Sequence, residues 1–324
     1  MAKKRMIQAI NEALDGEMQR DHKLILFGED VEISLFGDTK GLVDKYGTDR
    51  IRNTPISETV MSGMAVGAAA AGFNVICHMM FGNFMYTGFD SIANQASKLR
   101  YMTAGQISLP IVYMSVFGGG RSAAAQHSDA MHPLFMNLGG IKVVTPSSPM
   151  DAGGLLRASI RDPNPVVYLQ AAGRGGELGE VPDEEFVIEL GKAARLRNGE
   201  DLTIVAIGAM VRPALRSVDF HRTKGVSIEL IDPRTLVPLD KEMIFKSVRK
   251  TGRLIIVDEA RDTCSAASHI ASLCAEECFS ALKAPIKRVT VNDIAIPYSP
   301  PLEKNVLPNE ERINNAVSEV LEFV

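Results

Sequence analysis

Apolar residues occur along the chain in short runs that alternate with stretches of helical period. A first helix is predicted over Met6 to Arg20, and after it the apolar runs predict strands while the amphipathic or small-residue stretches predict helices. The predicted strands lie at residues 23–27, 74–80, 109–116, 141–145 and 165–169, and the predicted helices at 58–71, 90–102 and 151–160. Because these strands are apolar throughout, the pattern predicts a mostly parallel sheet covered by helices on both faces.

The alternation stops at residues 170–185, which are rich in Gly, Asp and Glu, and then begins again. Strands are predicted at 202–207, 226–231, 254–257 and 287–291, and helices at 211–220, 241–248, 265–279 and 313–323. We therefore predict an α/β protein with two domains, at residues 1–175 and 188–324, joined by a linker at 176–187. A length of 324 residues agrees with this division, since it exceeds one ordinary core.

Composition narrows the possible functions. The chain is 46% hydrophobic and 23% charged, with a net charge of −4 and no Trp, and beyond residues 3–5 it has no basic cluster. These features argue against nucleic-acid binding.

The apolar stretch at 60–77 is interrupted by Ser62 and Asn74, so it predicts a buried helix and a strand rather than a membrane span. The four cysteines form no CxxC pair, which favours reduced thiols and a cytoplasmic protein without a zinc site.

Two short stretches contain the candidate acid–base groups. Residues 54–58 (Thr-Pro-Ile-Ser-Glu) end in Glu58, and residues 124–128 (Ala-Ala-Gln-His-Ser) contain His127. Ionisable groups at the ends of elements are typical of acid–base sites. Taken alone, Glu58 could instead complement the dipole of a helix capped by Ser57. His127 could be a hydrogen-bonded loop residue, and Asp129 could either hold its tautomer or cap the next helix.

A glycine-rich loop at residues 118–123 formally matches the dinucleotide fingerprint G-x-G-x-x-A. The acidic residue expected about 20 positions later is missing, since residues 139–150 contain no carboxylate. We therefore interpret the loop as a flexible segment that lines a cleft. The sequence also has no Walker motif and no Gly-x-Ser-x-Gly elbow, which disfavours an ATPase and a serine hydrolase. His78 lies within a predicted strand and is interpreted as buried structure.

Further motifs lie along the whole chain, at residues 28–31 (Gly-Glu-Asp-Val), 81–84 (Phe-Gly-Asn-Phe), 142–146, 161–165, 233–240 and 250–253. Together with residues 54–58, 118–120 and 126–128, they resemble the beta subunit of the decarboxylating component of 2-oxo acid dehydrogenase complexes. This family comprises pyruvate, branched-chain and acetoin dehydrogenases and is built on the transketolase plan. Residues 257–260 and 264–265 favour its acetoin-type members.

The resemblance implies a transketolase-like pyrimidine-binding domain followed by a transketolase C-terminal domain, with thiamine diphosphate bound between this chain and an alpha subunit. Glu58 would hydrogen-bond the aminopyrimidine ring nitrogen and so promote ionisation of the cofactor, provided that apolar surroundings raise its pKa. Phe84 would stack on that ring and Glu29 would line the cleft. His127 would lie near the reacting carbon, where it would either stabilise the carbanion–enamine or handle a proton as the two-carbon unit passes to a lipoyl group.

Metal ions are implied in two places. The family's Gly-Asp-Gly motif with its paired Asn, which binds Mg²⁺, is absent from this sequence, so Mg²⁺ would be held mainly by the alpha subunit. Family members also often hold K⁺ through main-chain carbonyls of this first domain. The positions that match are Ile111, Ser159, Asp162 and Asn164.

The resemblance also implies partners, namely two alpha subunits in a heterotetramer with two beta subunits, and a dihydrolipoyl acyltransferase core that binds residues 188–324. Asn53, Asp129 and residues 171–176 depart from the family pattern, which leaves the substrate open among 2-oxo acids and acetoin. Two alternatives are a split transketolase-type ketol transferase subunit and a non-catalytic α/β interaction module. The intact Glu58, Phe84 and His127 argue against the second alternative.

Overall fold

The computed structural model describes residues 1–323, which divide into two compact units. The first unit comprises Met1–Phe117 and Leu134–Leu190, and the second comprises Gly118–Pro133 and the chain from Gly191 onward. The segment of residues 118–133 thus groups with the second unit, although it precedes the predicted domain boundary. The boundaries at residues 175 and 188 stay a prediction.

The first unit is built on a parallel sheet. Its strands are β1 (Ala2–Arg5), β2 (Leu24–Gly28), β3 (Ile51–Asn53), β4 (Asn74–Phe81), β5 (Ile111–Phe117), β6 (Lys142–Val144), β7 (Val166–Ala171) and β8 (Leu178–Val181). Its helices are α1 (Met6–Arg20), α2 (Leu42–Tyr46), α3 (Glu58–Ala70), α4 (Leu99–Met102) and α6 (Pro149–Ile160), while α5 (His132–Met136) crosses the division between units. The parallel strands follow the order β6-β7-β5-β4-β2-β3. The predicted parallel sheet with flanking helices is therefore confirmed.

Three local features of this unit differ from the sequence prediction. The predicted linker contains β8, which pairs antiparallel with β1, so part of it is ordered sheet. The predicted helix at 90–102 is divided into a π-helical turn at Ser91–Ala96 and the short α4. The cause is one wide turn, in which the Ser97 N–H donates to the Ile92 carbonyl oxygen instead of the oxygen four residues back. Strand β4 contains an irregularity between His78 and Phe81, where Met80 has a φ of 54°.

The second unit contains a separate sheet. The strands of this unit are β9 (Ala194–Arg197), β10 (Leu202–Ala206), β11 (Ile228–Asp232), β12 (Thr235–Val237), β13 (Leu254–Arg261) and β14 (Lys287–Val291), of which all but β12 belong to this sheet. Its helices are α7 (Val211–Arg222), α8 (Lys241–Thr251), α9 (Ala266–Glu277), α10 (Pro300–Val306) and α11 (Glu310–Leu321). The sheet order is β14-β13-β10-β11-β9, in which only β9 pairs antiparallel within the described chain.

Helix α8 illustrates why these elements begin and end where they do. The Asp240 side chain accepts the Met243 N–H at 3.1 Å and so caps the first turn, while Gly252 ends the helix in the left-handed region.

All four cysteines are free thiols, and Cys278 lies just beyond α9 rather than within it. No helix within residues 1–323 combines the length and the apolar character that a membrane crossing needs.

Candidate active site

Glu29 lies at the carboxyl end of the first unit's sheet, directly after β2. Its neighbour Gly28 pairs with His78 of β4, and a Cβ atom at Gly28 would lie 2.3 Å from the His78 carbonyl oxygen. Only glycine therefore allows β2 and β4 to approach this closely. Glu29, the next residue, is only 6% exposed, and its Oε1 atom is buried with no hydrogen-bond partner among residues 1–323.

Glu58 is the first residue of α3, as the sequence predicts, and it lies against the segment that follows β4. The Thr87 hydroxyl lies 3.3 Å from Glu58 Oε2, and the Ser62 hydroxyl donates to the Glu58 carbonyl oxygen at 2.8 Å. A Cβ atom at Gly88 would lie 2.6 Å from the Ser62 hydroxyl oxygen, so only glycine at this position allows the chain to pass this close to α3. Within the described chain, the Ser57 side chain makes no capping bond to α3, contrary to expectation.

The carboxyl groups of Glu29 and Glu58 adjoin each other. Burial, followed by repulsion from Glu58 and a hydrogen bond with it, raises the pKa of Glu29 to about 7. With a pKa of about 7, the Glu29 carboxyl group still retains its proton in a large fraction of molecules near neutral pH. This arrangement can donate a hydrogen bond at a pH where an isolated glutamate could not.

The raised pKa of Glu29 predicts a specific dependence of stability on pH. The folded chain keeps this proton up to about pH 7, whereas the unfolded chain releases it near pH 4.5, so stability falls as pH rises between those values. We expect Glu29→Gln to remove this loss of stability. The melting temperature of the variant relative to that of the native chain should therefore increase from about pH 5 to about pH 8. The exposed Glu242→Gln is the matched control, and a gain that does not change with pH would contradict the assignment.

A second buried pair lies beside Glu29. His78 Nε2 is 2.9 Å from Asp38 Oδ2, and the Met80 N–H donates to His78 Nδ1 at 3.3 Å. Because Nδ1 accepts a hydrogen bond, Nε2 carries the proton and donates it to Asp38. Burial alone would raise the pKa of Asp38, but His78 and backbone N–H groups lower it. His78 is thus buried, as the sequence predicts, and it fixes the loop that contains Asp38.

Phe84 lies in the 3₁₀ turn Gly82–Tyr86 after β4 and is half-buried. Its ring packs edge-to-face against Phe81, with centroids 5.7 Å apart. The Thr87 hydroxyl donates to the Phe84 carbonyl oxygen at 2.7 Å and also contacts Glu58. The first unit therefore brings together three of the predicted residues, Glu29, Glu58 and Phe84, at the carboxyl ends of its strands.

His127 belongs to the second unit. It ends the 3₁₀ turn Ala125–His127, which follows left-handed residues at Ser122 and Ala124, and the Ser128 hydroxyl closes the turn on the Ala124 carbonyl oxygen at 2.7 Å. The carboxylate of Asp129 accepts a hydrogen bond from Arg261 at 2.8 Å. This ion pair gives Asp129 an anchoring contact that the sequence did not predict.

The glycine-rich loop at 118–122 is bound by carboxylates of the second unit. Gly119 N–H donates to Glu259, and the N–H groups of Gly120 and Ser122 donate to Glu303. A Cβ atom at Gly118, whose φ is 83°, would lie 2.3 Å from Glu259 Oε2. These bonds contradict the predicted flexibility of the loop, and its position at a cleft stays a prediction. Glu259 and Glu303 were missed because they lie more than a hundred positions away in sequence.

The predicted potassium positions lie in one region of the first unit. Ile111 begins β5, Ser159 lies in the last turn of α6, and Asp162 and Asn164 lie in the turn that follows. The Leu109 N–H donates to the Pro163 carbonyl oxygen and joins this turn to the chain before β5. Potassium binding stays a prediction. In the described part of the chain, no cluster of three or more His, Cys, Asp or Glu side chains could hold a metal ion.

Both units match domains of the transketolase family, so the chain is a transketolase-like protein. Residues 2–170 match the family described as the transketolase pyrimidine-binding domain, and residues 191–313 match the transketolase C-terminal domain. A solved structure described as a split-gene transketolase in an inactive beta4 tetramer superposes with a TM-score of 0.82 over 98% of both chains, at 23% identity. That likeness concerns the fold alone.

Relatives that match over the full chain narrow the class. The beta subunit of acetoin:2,6-dichlorophenolindophenol oxidoreductase from Bacillus subtilis is 42% identical over 98% of this chain and 96% of its own length. The beta subunit of the pyruvate dehydrogenase E1 component from the same organism is 39% identical over 100% of both chains. The chain belongs to the family of transketolase-like beta subunits of 2-oxo acid and acetoin dehydrogenases, which are thiamine diphosphate-dependent enzymes. The predicted family is thereby confirmed over both alternatives.

Proposed function

We propose that this chain supplies the pyrimidine-binding half of a thiamine diphosphate site and is active only with an alpha subunit. The observation that carries the proposal is the Glu29–Glu58 pair, in which a buried carboxyl group retains its proton near neutral pH. The ring nitrogen of an aminopyrimidine needs such a donor. The buried Glu29 Oε1 atom, which has no hydrogen-bond partner among the described residues, is a polar group that a bound ligand could satisfy.

Each of the four predicted residues then has a role. Thiamine diphosphate, when bound, supplies the acidic carbon and the electron sink. Glu58 hydrogen-bonds the pyrimidine ring nitrogen, and Glu29, which has the raised pKa, lies against the Glu58 carboxyl group. Phe84 packs against the ring and excludes water. His127 holds or moves a proton while the acyl group passes to the acceptor.

The overall reaction fits an oxidative transfer to a lipoyl group. With a 2-oxo acid, the bond to the carboxylate breaks and CO₂ leaves, and two electrons from the substrate reduce the lipoyl disulfide. One sulfur takes the acyl group as a thioester and the other takes a proton. With acetoin, the bond between its two oxygen-bearing carbons breaks and acetaldehyde leaves instead of CO₂. The 42% identity to an acetoin enzyme favours acetoin as the first substrate to test.

Helix α3 supports the proposal of a subunit interface. Its outer face presents Val60 and Met64, which are 63% and 42% exposed, and a Cβ atom at Gly67 would meet no atom within 4 Å. An apolar stripe next to a small residue allows another helix to approach closely. We propose that this face packs in a heterotetramer of two alpha and two beta subunits. The alpha subunit would hold most of the Mg²⁺ ligands, K⁺ would bind near residue 111, and residues 188–324 would contact an acyltransferase core.

The shared site predicts that cofactor affinity depends on the partner. Titration calorimetry with thiamine diphosphate and Mg²⁺ should give at least about 100-fold weaker binding to this chain alone than to its complex with an alpha subunit, since the isolated chain would lack the alpha subunit's contacts. Equally tight binding by the isolated chain would contradict the shared site. Turnover of acetoin, pyruvate and branched-chain 2-oxo acids by the complex would identify the substrate.

A further inference from the structure

Two buried carboxylates of the second unit hold the N-terminal end of the segment of residues 118–133. Glu303 of α10 is 4% exposed and Glu259 of β13 is 5% exposed. Glu303 Oε1 accepts the Gly120 N–H at 2.8 Å, and its Oε2 accepts the Ser122 N–H at 2.9 Å and the Ser122 hydroxyl at 3.2 Å. Glu259 Oε2 accepts the Gly119 N–H at 3.2 Å. Hydrogen bonds to a charged acceptor are stronger than neutral ones, so this is a firm attachment.

The other end of the segment is attached independently. Arg261 binds Asp129, and His132 Nε2 lies 3.0 Å from Asp258 Oδ1, with both His132 and Asp258 fully buried. His127 therefore lies in a short span between two attachment points, both of which belong to strand β13 or helix α10.

The span itself has an unfavourable backbone. Ser122 and Ala124 have φ values of 53° and 62°, in the left-handed region that side chains disfavour. Conformations of this kind persist only when the surroundings enforce them, and they cluster at functional sites. The bonds from Glu303 to Ser122 provide that enforcement directly, since they fix both the N–H and the hydroxyl of a left-handed residue.

We propose that Glu303 is a positioning residue for His127, so that the C-terminal domain controls the imidazole used in acyl transfer. This inference rests on the proposed function for the role of His127, and it adds a residue from a helix that has no other part in the chemistry. Glu303 does not touch the reacting atoms. It holds the loop conformation from which His127 reaches them.

The first test uses the full-length chain without cofactor. Arg121 is exposed in the loop, so trypsin can cut there once the loop is released. Glu303→Gln replaces one acceptor oxygen with an amide that faces N–H donors, and we expect cleavage after Arg121 to become at least about 10-fold faster. Glu229→Gln is the matched control, because Glu229 is an equally buried acid of the same unit that binds Lys250 instead. Unchanged cleavage in Glu303→Gln would overturn the proposal.

The second test uses the complex with the alpha subunit and two acceptors. The dye 2,6-dichlorophenolindophenol takes electrons without acyl transfer, whereas a lipoyl domain requires it. We expect Glu303→Gln to slow lipoyl acylation at least about 10-fold and dye reduction less than about 2-fold, because Glu303 acts only on the transfer step. His127→Ala should slow lipoyl acylation at least as much as Glu303→Gln does. Adding Glu303→Gln to His127→Ala should cause no further loss, and independent, multiplying losses would overturn the inference.

The two proposals fail in different ways. If the native complex turned over with neither acceptor, the proposed function would be wrong. If the native complex used both acceptors but Glu303→Gln slowed them equally, only the positioning role would be wrong. Glu303→Asp, which keeps the charge but is one methylene shorter, serves as the second variant if Glu303→Gln unfolds, and the same acceptor ratio is measured.

Discussion

Glu58→Gln is expected to reduce turnover by the reconstituted complex by at least about 100-fold while the chain remains folded. Glutamine has the same shape and keeps the contact with Thr87, but it has no carboxyl group to pair with Glu29. The loss should appear in the earliest step, as slow exchange of the acidic proton of thiamine diphosphate for deuterium. Quenched-flow mixing with NMR detection measures the rate of this exchange. Exchange and turnover should fall together, because ionisation precedes every later step.

The control for Glu58→Gln addresses the alternative that Glu58 only complements a helix dipole. Glu242 is exposed and lies in the first turn of α8, so it has a similar relation to a helix terminus. A dipole role predicts that both variants lose a similar stability of about 0.3–1 kcal/mol and that neither loses activity. Turnover of Glu58→Gln within about 3-fold of the native complex would remove Glu58 from the mechanism.

Gly28→Ala is expected to destabilise the chain by about 3 kcal/mol or more and to abolish most activity. The added methyl group would lie 2.3 Å from a backbone oxygen of β4, which cannot move aside without separating two paired strands. That separation would also displace Glu29 from Glu58. Urea denaturation measures the free energy of unfolding, and the dye assay measures the remaining activity.

Gly139→Ala is the matched control for Gly28→Ala, because a Cβ atom at Gly139 would meet nothing within 4 Å and Gly139 does not have a left-handed backbone. We expect its free energy of unfolding to stay within about 0.5 kcal/mol of the native value. If the two glycine variants were equally stable, the close approach of β2 and β4 would have no energetic importance.

Local patterns predicted most of the fold. Helix α1 has the predicted bounds of Met6 and Arg20, because its apolar period is uninterrupted between these two residues. Glu58 was likewise predicted at the start of α3. Strands as short as β3 and β12, of three residues each, have too few positions to show a period. The π-helical turn after Asp90 retains apolar spacing, so its sequence resembles a continuous helix.

The site was harder to predict, since its main features depend on residues distant in sequence. Glu29 and Glu58 follow different elements, and their contact arises only because parallel strands bring their carboxyl ends to one edge. Either carboxylate alone looks like an ordinary solvated group. The buried Asp38–His78 pair joins a loop to a strand across 40 positions, and no spacing rule connects them.

The glycine-rich loop has a consequence for motif searches. Its amide groups donate to acidic groups, as the amides of a nucleotide-binding loop donate to phosphate, but here the acceptors are two acidic side chains of the same polypeptide. Searches based on glycine spacing alone would therefore assign a phosphate ligand to chains of this kind. Including the distant acids in the search pattern would separate loops that bind nucleotides from loops that a protein satisfies by itself.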